Sequence, residues 1–532
     1  MNHLSTTSSE SRARNDHPLR SPQTLNRLAS YSLLLFCAIG ALLTVIGAAK
    51  IIPSRGETTG TESVNPYVSI LAVQTGHLYH PISAPPYTPQ PFGPLFYLAG
   101  AGIARLSGLD IDATFRLGRA MVVLSLLLCA ATVWLISRQL GFTKNVSALT
   151  AMTFLAQPFF ARWSGTMRPD VPALLAMLLA LFFALRIPEM GITASLLAGS
   201  LIGVGFLVKQ TAAAAGLSIA LVYLLNGRYK HIVVLVASAA VPVGIVFALL
   251  VGNHEPFLEH FLAAGRETWS LAGAAAWLNE GHLTRPTAIL YYAIGTVGFL
   301  RAIKASEQAQ MLAAFAAVNV FAGFALIPQL GGAANYFLPG FAGCALLLPY
   351  AIRTFEENVR APRAIAVLLI FTFLAAVLDC TAGFYVLPPS SAGKYIPTGF
   401  LSSSKVLSDD PYLELHTRDP EIIDPFTIHS LELQGRWNPS GVVTNLQTNA
   451  YDLVILGSGH VIKDYRGIAF FGPPIVNALN ENYEVLCGIG NALVLKPRSR
   501  EIAASPEMLG RILGPCIAKP PEPNLVIRDS DR

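Results

Sequence analysis

Charged residues are scarce in this chain of 532 residues, at 13% of the sequence. Soluble globular proteins carry about 25% charged residues, so the composition argues against a soluble protein. Hydrophobic residues make up 53% of the sequence, and apolar runs near the length needed to cross a bilayer recur along it. The chain is therefore predicted to be a polytopic membrane protein, with the lipid bilayer as a partner.

Motifs that define several other functional classes are missing. The six cysteines form no CxxC pair and no Cys/His spacing typical of a metal site. The segment "GSGH" at 457–460 lacks the full glycine fingerprint of a dinucleotide site, and no basic patch with interleaved aromatic residues indicates nucleic-acid binding. Cys487 and Cys516 lie in a polar tail, where a disulfide between them stays open if the tail is outside the cytoplasm.

About eleven apolar runs are interpreted as membrane spans. The first is longer than the apolar stretch of a secretory signal, so it is interpreted as an uncleaved span. The runs lie near 29–52, 117–137, 146–161, 171–187, 190–208, 210–226, 231–252, 285–303, 308–328, 335–352 and 363–383.

Lys and Arg set the predicted orientation. The basic tail 1–28 and the short loops 138–144 and 228–230 carry positive charge on one side, which the positive-inside rule assigns to the cytoplasm. An odd number of spans then places residues 384–532 on the outer side.

The predicted fold class is an all-α polytopic membrane protein with a small C-terminal soluble α/β domain. The membrane core covers 29–383, and its outer loops, 53–116 and 252–284, each contain a segment typical of an interfacial helix. In 384–532, strand-like runs such as "AYDLVILG" and "NALVLKP" alternate with turn-rich segments, and the last stretch is predicted to be disordered.

Five ionisable residues fall at predicted outer ends of spans or in the first outer loop: Glu62, Arg162, Arg168, Asp170 and Lys209. Ionisable groups at membrane depth are costly, so they usually line a wet cavity or contact a partner. Fixed cations at an outer membrane edge suit an anion such as a lipid phosphate.

Simpler interpretations of these residues stay open. Lys209 can reach the headgroups without a specific ligand. Arg168 and Asp170 can pair with each other while "RPD" starts a helix. Glu62 can be an ordinary loop acid. Their common position at one face of the membrane favours a shared site.

Histidines provide only weak candidates for a metal site. His77 and His80 are interpreted as loop residues, with metal binding as the less favoured alternative. The segment "HEPFLEH" at 254–260 lacks the HExxH spacing and indicates an amphipathic interfacial helix. No metal site is predicted, and a divalent metal as cofactor stays open.

Several short motifs follow one another in a particular order. An acid and then "GHLYHP" occur in the first outer loop, followed by "YTPQPFGPLFYLAGAGIARLSGLD" and "RLGR". "MRPD" lies at the outer end of a span, "KQT" in the next outer link and "NYFLPGFAGCALLLPY" in a late span. This order, over about residues 30–383, resembles the bacterial integral-membrane glycosyltransferases of the GT-C fold, in particular the protein O-mannosyltransferase and lipid A aminoarabinose transferase group.

The resemblance implies an enzyme of the bacterial inner membrane that transfers a sugar from a polyprenyl-phosphate carrier to a glycan, lipid or protein on the periplasmic face. Glu62 corresponds to the family's first-loop acid and is the candidate base, and Asp170 corresponds to an acid that orients acceptor or base. Candidates for binding the donor phosphate are Lys209, Arg168 and Arg162. Further candidate site residues are Tyr79, Gln90 and Tyr336.

Two positions depart from the family pattern. Thr61 precedes Glu62 where the family often has an adjacent Asp, and Gln90 stands where relatives in the aminoarabinose group carry a Lys. Phosphate binding would then depend on Lys209 and the arginines. A transporter of lipid-linked saccharides and a non-catalytic membrane scaffold remain the alternatives, although charges gathered at one face without a visible repeat favour an enzyme.

Overall fold

The computed structural model describes two parts of the chain, a helical part and a later part that contains a β-sheet. The described residues are 22–57, 62–157, 163–265, 269–271, 274–275, 286–329, 334–357, 401–457, 471–489 and 492–499.

The first part consists of α-helices and two short 3-10 helices, Gln210–Ala212 and Ala334–Phe337. In chain order the α-helices are α1 (Pro22–Ile51), α2 (Val64–Thr75), α3 (Pro94–Leu106), α4 (Ile111–Gln139), α5 (Lys144–Leu155), α6 (Asp170–Ala184), α7 (Ile187–Met190), α8 (Ile192–Val208), α9 (Ala213–Leu225), α10 (Tyr229–Gly252), α11 (Phe257–Gly265), α12 (Pro286–Ala302), α13 (Glu307–Leu326) and α14 (Leu338–Glu357).

The helices follow the predicted apolar runs. Each of the first ten runs coincides with a helix, and the eleventh, 363–383, lies outside the described residues. Within the described part, four helices are long and apolar enough to cross a bilayer: Ile111–Gln139, Tyr229–Gly252, Glu307–Leu326 and Asn335–Thr354. Shorter apolar helices accompany them, so the chain is a membrane protein with a helical core.

Helix α4 shows how one helix serves both the core and the lipid. Val122, Leu126 and Val133 recur at helical spacing and are fully buried, whereas Leu124 and Leu128 are about half exposed on another face. A row of exposed leucines is unfavourable in water but suits the hydrocarbon of a bilayer. The helix therefore lies at the edge of the bundle, between protein and lipid.

The first outer loop contains two helices, α2 and α3. The predicted interfacial helix is α3, which begins with Pro94 in its first turn, where the missing N–H costs nothing. The preceding residue, Gly93, donates its N–H to Val208 O at 3.2 Å, at the end of α8. A Cβ on Gly93 would lie 2.1 Å from Leu207 O, so only glycine permits this approach.

The later part contains a four-stranded sheet in the order β1–β2–β4–β3. The strands are β1 (Val406–Ser408), β2 (Leu453–Gly457), β3 (Tyr483–Ile489) and β4 (Ala492–Pro497). β1 and β2 are parallel, and the other two pairings are antiparallel. The helices beside it are α15 (Pro411–Glu414), α16 (Pro425–Leu433), α17 (Ser440–Gln447) and α18 (Pro473–Asn482).

The sheet part packs against the first outer loop. Val68 and Tyr97 of α2 and α3 share one continuous apolar cluster with Leu413 and Ile455. Polar contacts add to this interface, since Tyr412 Oη donates to Asp112 Oδ1 at 2.8 Å. The sheet part therefore lies at the end of the bundle where α4 begins.

Further bonds join the same two parts. Tyr87 N–H donates to Glu421 O at 2.7 Å, and Ile423 N–H donates to Tyr87 O at 3.3 Å. The Tyr87 ring also packs edge-on against Trp437, with the ring centroids 5.2 Å apart. These contacts fix the first outer loop between the bundle and the sheet.

Candidate active site

Asp170, the first residue of α6, is the centre of a buried polar cluster. Its Oδ1 accepts hydrogen bonds from Lys209 Nζ and from Asn335 Nδ2, the latter at 2.6 Å. Its Oδ2 accepts a hydrogen bond from Arg168 Nε at 3.3 Å. One carboxylate is therefore shared by two cations and one amide.

Three interruptions of helical structure bring these groups together. Asp170 occupies the first turn of α6, where the helix dipole favours a negative charge. Lys209 follows α8 in an extended conformation, and Asn335 lies in the 3-10 helix before α14. Because all three are at helix ends on the same side of the bundle, their side chains meet without any helix carrying a charge in its middle.

Aromatic rings hold both cations in place. Lys209 Nζ lies 4.8 Å from the centroid of the Tyr336 ring. The Arg168 guanidinium lies 5.1 Å from the Trp163 ring and 5.5 Å from the Phe92 ring. Such cation–π contacts strengthen when the groups are away from water. The cluster thus places two cations beside the Asp170 carboxylate, and the buried Asp424 carboxylate also interacts electrostatically with Arg168.

A cavity of about 270 Å³ opens beside this cluster. Its polar lining includes Asp170, Lys209, Asn319, Asn335 and Tyr336. Five alanines from α6, α9 and α13 make up half of the remaining wall: Ala173, Ala213, Ala214, Ala322 and Ala325. The cavity therefore has a charged end at the helix termini and an apolar body between the helices.

Glu62 lies in a different place, in a buried ion pair with Arg119 of α4. Arg119 Nε donates to Glu62 Oε1 at 2.8 Å and Nη2 donates to Oε2 at 2.9 Å, and both side chains have 0% exposure. The remaining guanidinium N–H groups donate to the carbonyl oxygens of Ile51, Ser54 and Gly56. The pair thus fixes the end of α1 and the start of the first outer loop.

Glu62 also contacts the backbone of the segment that precedes Asp170. Met167 N–H donates to Glu62 Oε1 at 2.8 Å, and Asn65 Nδ2 donates to Met167 O at 2.7 Å. Met167 immediately precedes Arg168, so these bonds position the segment that supplies both Arg168 and Asp170. Glu62 is not part of the cavity lining, and its contacts are those of a structural anchor.

Glu57 lies close to this anchor in the same loop. It accepts a hydrogen bond from Ser63 N–H at 2.7 Å. Burial raises the pKa of Glu57 well above its usual range, and the nearby carboxylates of Asp410 and Glu62 add to the rise. Asp410 belongs to the sheet part, so the two parts also meet through acidic side chains.

Gln90 and His260 join the two outer loops. Gln90 N–H donates to His260 Nδ1 at 3.1 Å, and His260 Nε2 lies 2.7 Å from His80 O, to which it donates. The Gln90 side chain bonds His80 N–H and Leu78 O. Burial lowers the pKa of His260 to about 4, which fits a neutral ring that accepts at Nδ1. The side chain of Gln90 therefore serves loop structure in this arrangement.

Glu255 makes a second connection between the loops. It accepts hydrogen bonds from Leu78 N–H at 3.0 Å and Tyr79 N–H at 2.8 Å, and His77 Nδ1 lies 3.5 Å away. Tyr79 Oη donates to Phe92 O at 3.1 Å. The segment "HEPFLEH" thus fixes the first outer loop through hydrogen bonds, a role that its residue spacing did not predict.

The structure brings together four of the predicted site residues: Arg168, Asp170, Lys209 and Tyr336. Glu62, Tyr79, Gln90, His77 and His80 have the separate contacts described above, and Arg162 lies outside the described residues. Within the described segments, no group of three or more His, Cys, Asp or Glu side chains is arranged to hold a metal ion.

Sequence reasoning missed several residues of this region. Arg119 ends the quoted "RLGR", yet only the rule that an arginine inside an apolar helix needs a partner could have drawn attention to it. Asn335 begins the quoted "NYFLPGFAGCALLLPY" and Asn319 lies within an apolar run, but both are uncharged and neither is a candidate from sequence. Cys487 is disulfide-bonded, whereas Cys37, Cys129 and Cys344 are free and buried.

Comparison with known proteins agrees with this architecture. A family model described as dolichyl-phosphate-mannose-protein mannosyltransferase matches residues 93–253. A search of curated proteins by sequence gave no significant match.

Solved structures share the fold over most of the chain. ArnT from Cupriavidus metallidurans aligns with a TM-score of 0.59 and 13% identity over 88% of this chain and 98% of its own. The same protein bound to undecaprenyl phosphate gives a TM-score of 0.59 and 14% identity, over 87% and 97% of the two chains.

A second solved protein is more distant. The archaeal oligosaccharyltransferase AglB from Archaeoglobus fulgidus, in complex with an inhibitory peptide and a dolichol-phosphate, aligns with a TM-score of 0.52 and 13% identity over 90% of this chain and 75% of its own. Identities this low establish the fold alone. The chain thus has the GT-C fold, as the resemblance in its sequence predicts.

Proposed function

We propose that the protein is a glycosyltransferase that moves a sugar from a polyprenyl-phosphate carrier to an acceptor on the outer face of the membrane. The observation that carries this proposal is the cluster of two cations around Asp170 beside the cavity. It offers two cations to a phosphate and a carboxylate to an acceptor hydroxyl, at one site. The shared fold supports it, because the matched ArnT and AglB structures contain undecaprenyl phosphate and dolichol-phosphate.

Lys209 and Arg168 are proposed to bind the donor phosphate. Lys209 lines the cavity and Arg168 lies next to it against Asp170, and aromatic rings hold both, so little ordering is needed when an anion arrives. Arg162 is retained as a proposed third cation. As the phosphate departs from the sugar, its growing charge is stabilised by these groups, which is the type of contact that accelerates group transfer.

Asp170 is proposed as the carboxylate that handles the proton. In the transfer, the acceptor hydroxyl oxygen attacks C1 of the sugar and the bond between C1 and the phosphate oxygen breaks, with its electron pair leaving on the phosphate. The hydroxyl proton passes to Asp170. When Lys209 and Arg168 turn to the phosphate, Asp170 loses part of its ionic pairing and becomes a better proton acceptor.

Glu62 is proposed to act indirectly. Its two oxygens are occupied by Arg119 and by Met167 N–H, so its place in the mechanism is to hold the segment that carries Arg168 and Asp170. This revises the role that the family pattern implied for the first-loop acid, because that role requires contact with the acceptor.

The site is proposed to face the periplasm. The basic inner loops assign that side by the positive-inside rule, and the disulfide at Cys487 supports it because disulfides persist in oxidising compartments. The N-terminus would then be cytoplasmic and the sheet part periplasmic. The bacterial inner membrane is the compartment that fits both.

Transfer from radiolabelled polyprenyl-phosphate sugars in isolated membranes tests the proposal. We expect wild-type protein to move label from the carrier to a glycan, lipid or protein fraction, and Asp170→Asn to lower the rate by about 10²–10⁴. Asp110→Asn, at the exposed start of α4, is the matched control and should keep the wild-type rate. Parallel assays with a chelator measure any dependence on a divalent metal.

One outcome contradicts the proposed activity, and another contradicts only the proposed role of Asp170. Carrier binding without turnover, unchanged by Asp170→Asn, points to the transporter or scaffold alternatives. Turnover that Asp170→Asn leaves intact keeps the enzyme but removes Asp170 from its chemistry.

A further inference from the structure

The sheet part brings a carboxylate, Asp424, to the cation cluster. Asp424 is buried, with 3% exposure, and immediately precedes α16. Its Oδ1 accepts a hydrogen bond from Thr427 N–H at 3.1 Å, and its Oδ2 accepts one from the Thr427 hydroxyl at 2.6 Å. Asp424 therefore caps the N-terminus of α16, where the helix dipole favours a negative charge.

The packing of the neighbouring residues brings Asp424 close to Arg168. Ile423, which precedes Asp424, lies in a continuous apolar cluster with Tyr97. Met167, which precedes Arg168, belongs to the same cluster. The Asp424 carboxylate and the Arg168 guanidinium interact electrostatically with each other, and both interact with Tyr97. Arg168 is thus influenced by a carboxylate of the sheet part in addition to the one that it bonds in the bundle.

Asp424 has the contacts of a charged carboxylate. Burial raises its pKa, but the hydrogen bonds from Thr427 and the positive charge of Arg168 limit that rise. Among the described residues, the cavity lining includes Asp170 and Lys209 but not Asp424. The Asp424 carboxylate can therefore act on an anion in the cavity through its electric field, without contact.

The proposed transfer changes the charge of the phosphate. In the donor the phosphate is a diester with a single negative charge. After the bond between C1 and the phosphate oxygen breaks, it is a monoester with a charge of about −1.5 to −2 near pH 7. In the same step Asp170 gains the acceptor's proton and stops neutralising Lys209 and Arg168. These cations therefore bind the product more tightly than the donor, and slow product release limits turnover.

We propose that Asp424 is a positioning residue that acts through Arg168 to promote release of the polyprenyl-phosphate product. Its carboxylate offsets part of the Arg168 charge and repels the phosphate. The repulsion is stronger for the product than for the donor, because the product carries more negative charge. This inference rests on the proposed glycosyltransferase function and adds to it the step that ends the reaction.

Equilibrium binding of two unreactive lipids tests this inference. Undecaprenyl phosphate represents the product, and its methyl ester, a phosphodiester with a single negative charge, represents the donor. We expect Asp424→Asn to bind undecaprenyl phosphate about tenfold more tightly than wild type does, and the methyl ester only about threefold more tightly. The effects differ because the Coulomb energy is proportional to the charge of the ligand.

The variants keep the helix cap and remove only the charge. Asparagine and serine are both good N-cap residues, so Asp424→Asn and Asp424→Ser should fold and should shift the Kd values alike. Asp410→Asn is the matched control, because Asp410 caps α15 in the same part of the chain by accepting a bond from Tyr412 N–H. This control should leave both Kd values unchanged.

Kinetics separate product release from chemistry. In single-turnover experiments, Asp424→Asn should react at least as fast as wild type. Its steady-state kcat should fall about threefold or more, after an initial burst of product. A merely structural role would instead lower the single-turnover rate together with Tm and would not distinguish the two lipids.

The outcomes separate the two proposals. Equal Kd values in wild type and both Asp424 variants, or equal shifts for the two lipids, overturn the inference and leave the proposed function standing. A lowered single-turnover rate without a burst in Asp424→Asn does the same. Absence of transfer by wild-type protein from every donor overturns the function and, with it, the release step.

Discussion

At the scale of single residues, the Glu62–Arg119 pair decides how the first outer loop meets the bundle. Both side chains are fully buried, and the guanidinium also bonds three backbone carbonyls. A buried ion pair contributes little net stability, but loss of one partner leaves an uncompensated charge and typically costs about 3–5 kcal/mol. The pair therefore acts mainly as a constraint on geometry.

We expect Glu62→Gln to lower the stability of the purified protein by about 3 kcal/mol, because Arg119 keeps its charge without a counterion. Thermal unfolding measured alongside transfer rate checks this. The double variant Glu62→Leu with Arg119→Met should recover much of the stability. A Glu62→Gln protein with unchanged Tm and a rate lowered about 10²–10⁴ would instead support Glu62 as the catalytic base.

Some of the site was predictable residue by residue. Arg168, Asp170 and Lys209 were candidates because an ionisable group at membrane depth is costly and usually functional. Tyr336 was a candidate because it belongs to a quoted motif. The partner of Glu62 was not predictable, since Arg119 is 57 positions away and nothing in the sequence links them. Asn335 carries no charge, so its contact with Asp170 emerges only from the fold.

At the scale of elements, the junction between α3 and α8 ties the first outer loop to Lys209. Gly93 N–H bonds Val208 O immediately before Lys209, and Gln210 Nε2 donates to Pro91 O at 3.0 Å. A change at this junction therefore alters both the loop and the position of the lysine.

We expect Gly93→Ala to destabilise the protein by about 1–3 kcal/mol or more and to raise the KM for the donor, because its Cβ would lie 2.1 Å from Leu207 O. Gly102→Ala, within the helix α3 that follows Gly93, is the matched control. Nothing lies within 4 Å of its added Cβ, so it should be neutral or stabilising by up to about 1 kcal/mol. Equal Tm values for the two variants would contradict the close approach at Gly93.

The contact between the outer loops is expected to weaken in acid. The pKa of His260 is about 4 when folded, against about 6.5 unfolded, so its contribution is complete above pH 6.5 and is lost as pH falls toward 4. The resulting loss in the free energy of unfolding is about 2 kcal/mol between pH 7 and 5. His80, whose pKa is also lowered by burial, changes stability in the same direction.

Thermal unfolding between pH 7.5 and 5 measures this effect. Wild-type protein should lose Tm on acidification, and His260→Leu should be less stable at neutral pH with a weaker pH dependence. His254→Asn is the control, because His254 is exposed and its positive φ suits asparagine. A His260→Leu protein that keeps the wild-type pH dependence would assign the effect to other groups.

At the scale of the whole molecule, apolar run length predicted where the helices are, because a helix in lipid must satisfy its own backbone hydrogen bonds. Strand-like runs likewise marked β2 and β4. Such patterns did not predict how the sheet part packs on the bundle. Tyr412 bonds Asp112, which is 300 residues away in the sequence, and Cys487 shares an apolar cluster with Val68. Contacts of that kind depend on tertiary packing, which the local periodicity of the sequence does not predict.

Cysteine labelling can test the orientation of the protein in the membrane. Gln447 on α17 and Lys304 between α12 and α13 are both exposed, and they lie on opposite sides of the membrane in the proposed topology. We expect a membrane-impermeant maleimide to label Gln447→Cys in intact spheroplasts and Lys304→Cys only after permeabilisation. Cys37, Cys129 and Cys344 are buried, and Cys487 is disulfide-bonded, so none of these four should add background. The reverse pattern would place the site, with Asp170 and its two cations, on the cytoplasmic side and would require a donor presented there.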